Sequence, residues 1–183
     1  MGNYISKVMY SRAKKTLILG YEASGKTTIF HIINKKYNTK PRNVDHIHSN
    51  GFNVDIIKNM VIWDLSGKKT MVPFWSCYFN NVDGVVWVYD PTSKECNEIL
   101  EMMCTLMASL ELFKAKMLVY VHKSDLVEED ILKKALENIY LMFPNRTIRV
   151  LPTGLNNIET IYEGFDWLYE TITANKGKKL YIF

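Results

Sequence analysis

Eight consecutive residues carry the most specific chemistry in the chain. Gly20-Tyr21-Glu22-Ala23-Ser24-Gly25-Lys26-Thr27 follows the spacing G-x-x-x-x-G-K-[ST], a pattern suited to cradling phosphate. Gly20 and Gly25 let the backbone curl so that the N–H groups of Glu22, Ala23, Ser24 and their neighbours face one anion. A helix starting at Lys26 adds its positive end to that cradle. Lys26 supplies a point charge to the β and γ phosphates, Thr28 extends the cradle by one residue, and the Thr27 hydroxyl can ligate Mg²⁺. A kinase, an ATPase or a GTPase could each use such a loop, and a glycine-rich turn can match it by chance.

Two other segments narrow the choice. Trp63-Asp64-Leu65-Ser66-Gly67 places an acid that can hold a Mg²⁺-bound water before a glycine whose N–H can meet a γ-phosphate, although ordinary strand-end turns share this composition. His122-Lys123-Ser124-Asp125 follows an apolar run. An ionised Asp125 can accept two parallel hydrogen bonds, from the ring N–H and exocyclic amine of guanine, a pair that adenine does not offer. The Lys123 stem can cover the face of the base. The bland alternative is a solvated polar turn.

These residues need strands that end in loops and helices that follow them. Candidate strands are 16–19, 52–57, 60–64, 85–89, 116–121 and 147–151, alternating with candidate helices at 26–36, 94–112, 128–143 and 158–173. That alternation predicts an α/β domain on a mostly parallel six-stranded sheet with helices on both faces. Only Lys58 and Asn59 separate the second and third strands, which therefore form an antiparallel hairpin. The segment 37–50, with Pro41 and several Asn, reads as one long surface loop.

The 183 residues carry a net charge of +4, unevenly placed. Residues 1–42 hold nine basic residues against one acidic, the body is acidic, and Lys176, Lys178 and Lys179 make a basic tail. This argues against a protein that coats nucleic acid and for termini that meet an anionic surface or phosphates. Cys77, Cys96 and Cys104 have neither disulfide nor zinc spacing, so a reducing compartment is expected. No run approaches the length of a membrane span, and the start is too polar for a signal peptide.

Near end to end, the sequence resembles the ADP-ribosylation-factor-like (Arf/Arl) branch of the Ras-like small GTPases, a P-loop NTPase fold. The resemblance rests on Met1-Gly2-Asn3, Gly25-Lys26-Thr27-Thr28-Ile29, Gly51-Phe52-Asn53-Val54-Asp55, Trp63-Asp64, Trp75, Tyr78-Phe79 and Tyr162-Glu163-Gly164-Phe165-Asp166-Trp167-Leu168. It implies a GTP/GDP switch with Mg²⁺, held by Thr27, by Ser49 from the first switch loop and, through water, by Asp64. It also implies Gly67 as the γ-phosphate sensor and Phe52, Trp63, Trp75 and Tyr78 as a surface read by effectors. Those aromatics could instead only fill the core.

The departures set further expectations. Lys68 stands where the family has a glutamine that orients the attacking water. Lysine has three donors and no acceptor, so it can offset phosphate charge but not position the water, and slow GTP hydrolysis is expected. His122 replaces an asparagine that braces the phosphate loop, and Thr153-Gly154-Leu155 replaces the usual base-contacting loop, in which Gly154 and Leu155 would still present backbone N–H groups. The first switch loop is longer than usual and the hairpin shorter. His46 and His48 read as solvated loop residues, with metal binding as the alternative.

At the N-terminus, Gly2 with Ser6 satisfies the N-myristoylation pattern. Ile5, Val8 and Met9 share a helical face among Lys7, Arg12, Lys14 and Lys15, the second signal that a single acyl chain needs. The expected organisation is a myristoylatable basic segment at 1–15, a GTPase domain at 16–175 and a basic tail at 176–183. The expected function is a monomeric switch on the cytosolic face of Golgi-like endomembranes, with an exchange factor, an activating protein and effectors as partners and no nucleic acid. The alternative is a nucleotide-locked or nucleotide-poor scaffold that acts only as an interaction module.

Overall fold

The computed structural model describes residues 13–38 and 51–174. Gly2, His46, His48, Ser49 and the tail 176–183 lie outside the described residues. Six strands run β1 Lys14–Leu19, β2 Phe52–Ile57, β3 Met60–Leu65, β4 Gly84–Tyr89, β5 Lys116–Val121 and β6 Ile148–Pro152. They form one sheet in the order β2-β3-β1-β4-β5-β6, parallel except for the β2–β3 pair. β4 is buried along its whole length and β5 along all but its first residue, as continuous apolar runs covered on both faces should be.

The covering helices are α1 Lys26–Tyr37, α2 Cys96–Met107, α3 Glu129–Met142 and α4 Glu159–Thr173. On one face α1 contributes Ile29, Phe30 and Ile33, and α4 contributes Ile161, Phe165, Leu168 and Ile172, against Ile18, Val86, Val88 and Leu118. On the other, Ile99, Met103 and Met107 of α2 and Ile139 of α3 meet Leu17, Val85, Trp87 and Val119. Each helix spends an apolar stripe on the sheet, which leaves the loops at the strand ends free for chemistry.

The hairpin turns as expected: Lys58 and Asn59 both have positive φ, 50° and 67°, the backbone a two-residue connection of right-twisted strands requires. Helix α2 stops five residues before its expected end at Leu112. Arg146, brought in from the α3–β6 connection, donates to the carbonyls of Met107 (2.5 Å), Leu112 and Ala115 (3.2 Å), and these bonds hold the chain in turns. A short 3-10 helix, Val72–Tyr78, had no counterpart among the expected elements.

Candidate functional site

The carboxyl ends of β1, β3, β4, β5 and β6 deliver Gly20, Asp64, Asp90, His122 and Thr153 to one edge of the sheet. At its centre the loop 20–25 turns into α1. Gly25 adopts φ +97°, and a Cβ there would lie 2.4 Å from the His122 ring, so the loop closes against that imidazole only because position 25 is glycine. Gly67 faces the same loop, where a Cβ would come within 2.4 Å of the Gly20 carbonyl oxygen and 2.5 Å of Lys26 Nζ. The Glu22 N–H donates to the Gly67 carbonyl at 2.9 Å, which ties the segment after β3 to the phosphate loop.

Lys26 is 6% exposed, and its ammonium donates to the Tyr21 carbonyl at 2.6 Å. Burial lowers its pKa to about 8, against the opposing pull of Asp64 and Glu22. Thr27 Oγ1 donates to Asp64 Oδ2 at 2.7 Å, and Asn53 Nδ2 donates to the same oxygen at 3.0 Å. The other carboxylate oxygen, Asp64 Oδ1, is buried without a hydrogen-bond partner, as is Ser24 Oγ. A carboxylate oxygen left bare beside a threonine hydroxyl suits a hard cation that takes oxygen ligands and keeps its waters. Mg²⁺ therefore fits Thr27 and Asp64, and when bound it would neutralise phosphate charge. Among the described residues no cluster of three or more His, Cys, Asp or Glu forms an alternative metal cage.

Lys26, Thr27, Asp64, Gly67 and Lys68 line one cavity of about 350 Å³ with Glu22, Ala23 and Asn53. Lys68 is exposed at its lip, with its carbonyl accepting from Met71 N (2.7 Å) and Val72 N (3.2 Å). Thr28 is exposed on the first turn of α1.

Farther along the edge, His122 is 3% exposed, and its Nδ1 lies 3.1 Å from Thr153 Oγ1. Burial, then the Lys123 charge, lowers its pKa and favours the neutral ring, although Asp125 and Asp90 pull the other way. Ser124 donates its N–H and its hydroxyl to the Thr153 carbonyl, both at 3.0 Å, which fixes the turn carrying Asp125. The Asp125 carboxylate lies against Gly154, where a Cβ would sit 2.4 Å from Oδ1; Leu155 beside it is 63% exposed. Lys123 is held by an ion pair with Asp90. Burial opposes ionisation of Asp90, but its bonds from Lys123 and Thr92 outweigh that and lower its pKa.

Phe52, Trp63 and Tyr78 gather into one half-buried cluster, with ring centroids 5.1 to 5.6 Å apart and Lys15 Nζ 5.6 Å from the Trp63 ring. Trp75 departs from expectation. It is 2% exposed, packs edge-on against Trp87 at 6.0 Å and donates its indole N–H to the Ser66 carbonyl at 2.9 Å. In this conformation it is a core residue that anchors the segment after Gly67, and it offers effectors no surface. The sequence alone assigns Asp90 no site role and names Asn53 and Thr153 only within the family string and the base-contacting loop; in the structure they orient Lys123, Asp64 and the Asp125 turn respectively. A polar residue at a strand's carboxyl end was the available signal for Asp90 and Thr153.

A model of the ADP-ribosylation factor family matches residues 1–172. The ADP-ribosylation factor-like protein 1 of Drosophila melanogaster is 29% identical, over 95% of this chain and 97% of its own. The fold is similar to the Arl6 (BBS3) small GTPase of Trypanosoma brucei, solved with the nucleotide analogue GppNp: TM-score 0.70, 18% identity, 88% of this chain and 98% of that one. The match to the family over nearly the whole chain, together with the cradle and the strand-end acid, means that this protein belongs to the ADP-ribosylation factor family, small GTPases that bind guanine nucleotide with Mg²⁺ and act as switches.

Proposed function

We propose that the chain is a membrane-attached switch that recruits effectors in membrane traffic and hydrolyses GTP slowly. The observation that carries the slow turnover is Lys68 at the lip of the cavity shared by Lys26, Thr27, Asp64 and Gly67, and the pattern at Gly2 with the basic N-terminal sequence carries the membrane attachment. In the reading, Lys26 and the loop N–H groups bind the phosphates, Thr27 and Ser49 hold Mg²⁺ with Asp64 acting through water, and the Gly67 N–H senses the γ-phosphate. Asp125 selects guanine, Lys123 covers the base, and Gly154 and Leu155 offer backbone donors to it. Lys68 attracts the phosphate but has no lone pair to accept a proton from the attacking water, so the GTP state is long-lived. Phe52, Trp63 and Tyr78 form the surface that effectors read. Myristate on Gly2 and the basic N-terminal segment attach the protein to the cytosolic face of Golgi-like endomembranes.

The scaffold alternative draws support from His122, whose neutral ring, with one donor and one acceptor, stands where a side-chain amide would offer more. Nucleotide extraction and single-turnover hydrolysis separate the two. The switch reading expects guanine nucleotide on the purified protein, slow GTP turnover, and acceleration of about tenfold or more in Lys68→Gln, a change of roughly 1.4 kcal/mol in the barrier. Fast wild-type turnover would overturn the role given to Lys68. Protein that carries no guanine nucleotide and takes up none is a scaffold.

A further inference from the structure

Among the described residues, those proposed to hold the nucleotide lie at one end of the sheet. At the other, where the parallel strands begin, the described chain enters through Lys14 on β1 and leaves through Thr173 on α4. A hollow of about 490 Å³ opens there, lined by Lys14, Lys114, Lys116 and Arg146, with Asp83 as the one carboxylate among its described lining residues and Phe113 on its rim. Lys14 pairs with Asp83, and Arg146 spends its guanidinium on backbone carbonyls, but Lys114 is exposed and Lys116 reaches only the Thr147 hydroxyl at 3.2 Å.

Beside the hollow, the loop joining α2 to β5 presents two large apolar side chains to solvent within four residues. Leu110 is 92% exposed and Phe113 65%, while Leu112 between them is fully buried and plugs the loop into the core. The Leu112 N–H donates to Ser109 O (3.2 Å) and the Ala115 N–H to Leu112 O (3.0 Å), and the three Arg146 bonds pin the same turns. The two apolar side chains are thus held outward by a braced backbone, next to two lysines and the exposed carboxylate of Glu111.

We propose that this pole is a protein-borne membrane contact: Leu110 and Phe113 enter the interfacial layer of an anionic leaflet, and Lys114 and Lys116 meet its phosphate headgroups. The inference rests on the membrane attachment proposed above and adds a contact to it. Charge complementarity selects lipid as the occupant. The sequence on either side of the described ends is basic, with Lys7 and Arg12 before β1 and Lys176, Lys178 and Lys179 after α4, and both ends join the body at this pole. Lys114 and Lys116 outnumber Glu111 beside Leu110 and Phe113, and apolar side chains with a net positive surround are the composition that interfacial binding uses. The arrangement also keeps the nucleotide edge, one strand length or about 20 Å away, clear of the leaflet.

Co-sedimentation of the full-length protein, with and without myristate, on vesicles of phosphatidylcholine with or without phosphatidylserine tests this. The myristoylated wild type is expected to bind the anionic vesicles better, and Leu110→Ser/Phe113→Ser and Lys114→Glu/Lys116→Glu are each expected to lower its partitioning by about tenfold. Only the lysine variant should flatten the salt dependence. Brominated lipid should quench the fluorescence of Phe113→Trp beyond the wild-type background, a direct readout of insertion that no stability change imitates. If Gly2→Ala releases the protein while both double variants bind as wild type does, the contact is refuted and the attachment reading stands. If myristoylated wild type binds neither vesicle, both are refuted.

Discussion

At the scale of single residues, Lys26 is where burial and chemistry conflict most directly. An ammonium enclosed by the fold is costly, and protein groups alone hold its pKa near 8, below the ordinary 10.5. A phosphate brought against it favours the charged form and raises the pKa again. Nucleotide binding should therefore take up a proton when the solution pH lies above about 8 and exchange almost none near pH 7. Affinity should fall as the pH rises from about 8 toward 10. Calorimetric titration of GDP in buffers of different ionisation enthalpy at about pH 9 reads the uptake directly; no buffer dependence there would show that Lys26 stays protonated in the free protein. The same shift affects stability. The unfolded chain holds this proton up to about 10.5 and the folded chain only to about 8, so the Lys26 contribution becomes more favourable as pH rises through that window.

At the scale of elements, the β2–β3 hairpin is tied down at its turn as well as along its ladder. Lys58 Nζ donates to Asp166 on α4 at 2.5 Å and lies 4.2 Å from the Tyr37 ring and 5.2 Å from that of Tyr169, while the Tyr37 hydroxyl donates to the same carboxylate at 2.7 Å. This clamp joins the hairpin to the end of α1 and to α4. Because the pair is 30% and 40% exposed, Lys58→Ala should cost only about 0.5–1 kcal/mol in a denaturant titration. Hydrogen exchange should nonetheless quicken locally at the turn and in the first residues of β3, while protection in β4 and β5 follows only the global change. Uniform acceleration would mean that the clamp supports the fold as a whole and does not restrain the hairpin. The hairpin was legible because two apolar runs two residues apart have few other ways to connect. The end of α2 was not, because Arg146 terminates it from about forty residues away in sequence. Trp75 was misplaced for a related reason: nothing local distinguishes an aromatic that reads out a surface from one that fits against Trp87.

At the scale of the whole molecule, the sheet separates a nucleotide edge from a basic pole, and the candidate nucleotide site draws on almost every parallel strand. The phosphate half was legible because its residues are contiguous, so that Gly20 to Thr27 could be read as one unit. The residues proposed to hold the base were less so, since the turn that carries Asp125 is held by Thr153 and Lys123 is placed by Asp90, partners that only the packing of β4, β5 and β6 brings together. A ligand gripped by so many elements should stabilise them as one body. At a hundredfold excess over its dissociation constant, GDP with Mg²⁺ should contribute about 2.7 kcal/mol. For a domain of this size that raises the melting temperature by roughly 5–10 °C. ADP should leave it unchanged at the same concentration. Asp125→Asn replaces one acceptor with a donor, so it should lose the response to GDP and gain one to XDP, whose C2 carbonyl can accept from the new amide. Thermal melts of the two proteins against the three diphosphates decide the matter: an equal shift with ADP and GDP in the wild type would remove Asp125 as the discriminator, and unchanged GDP preference in the variant would place base selection in the backbone of Gly154 and Leu155.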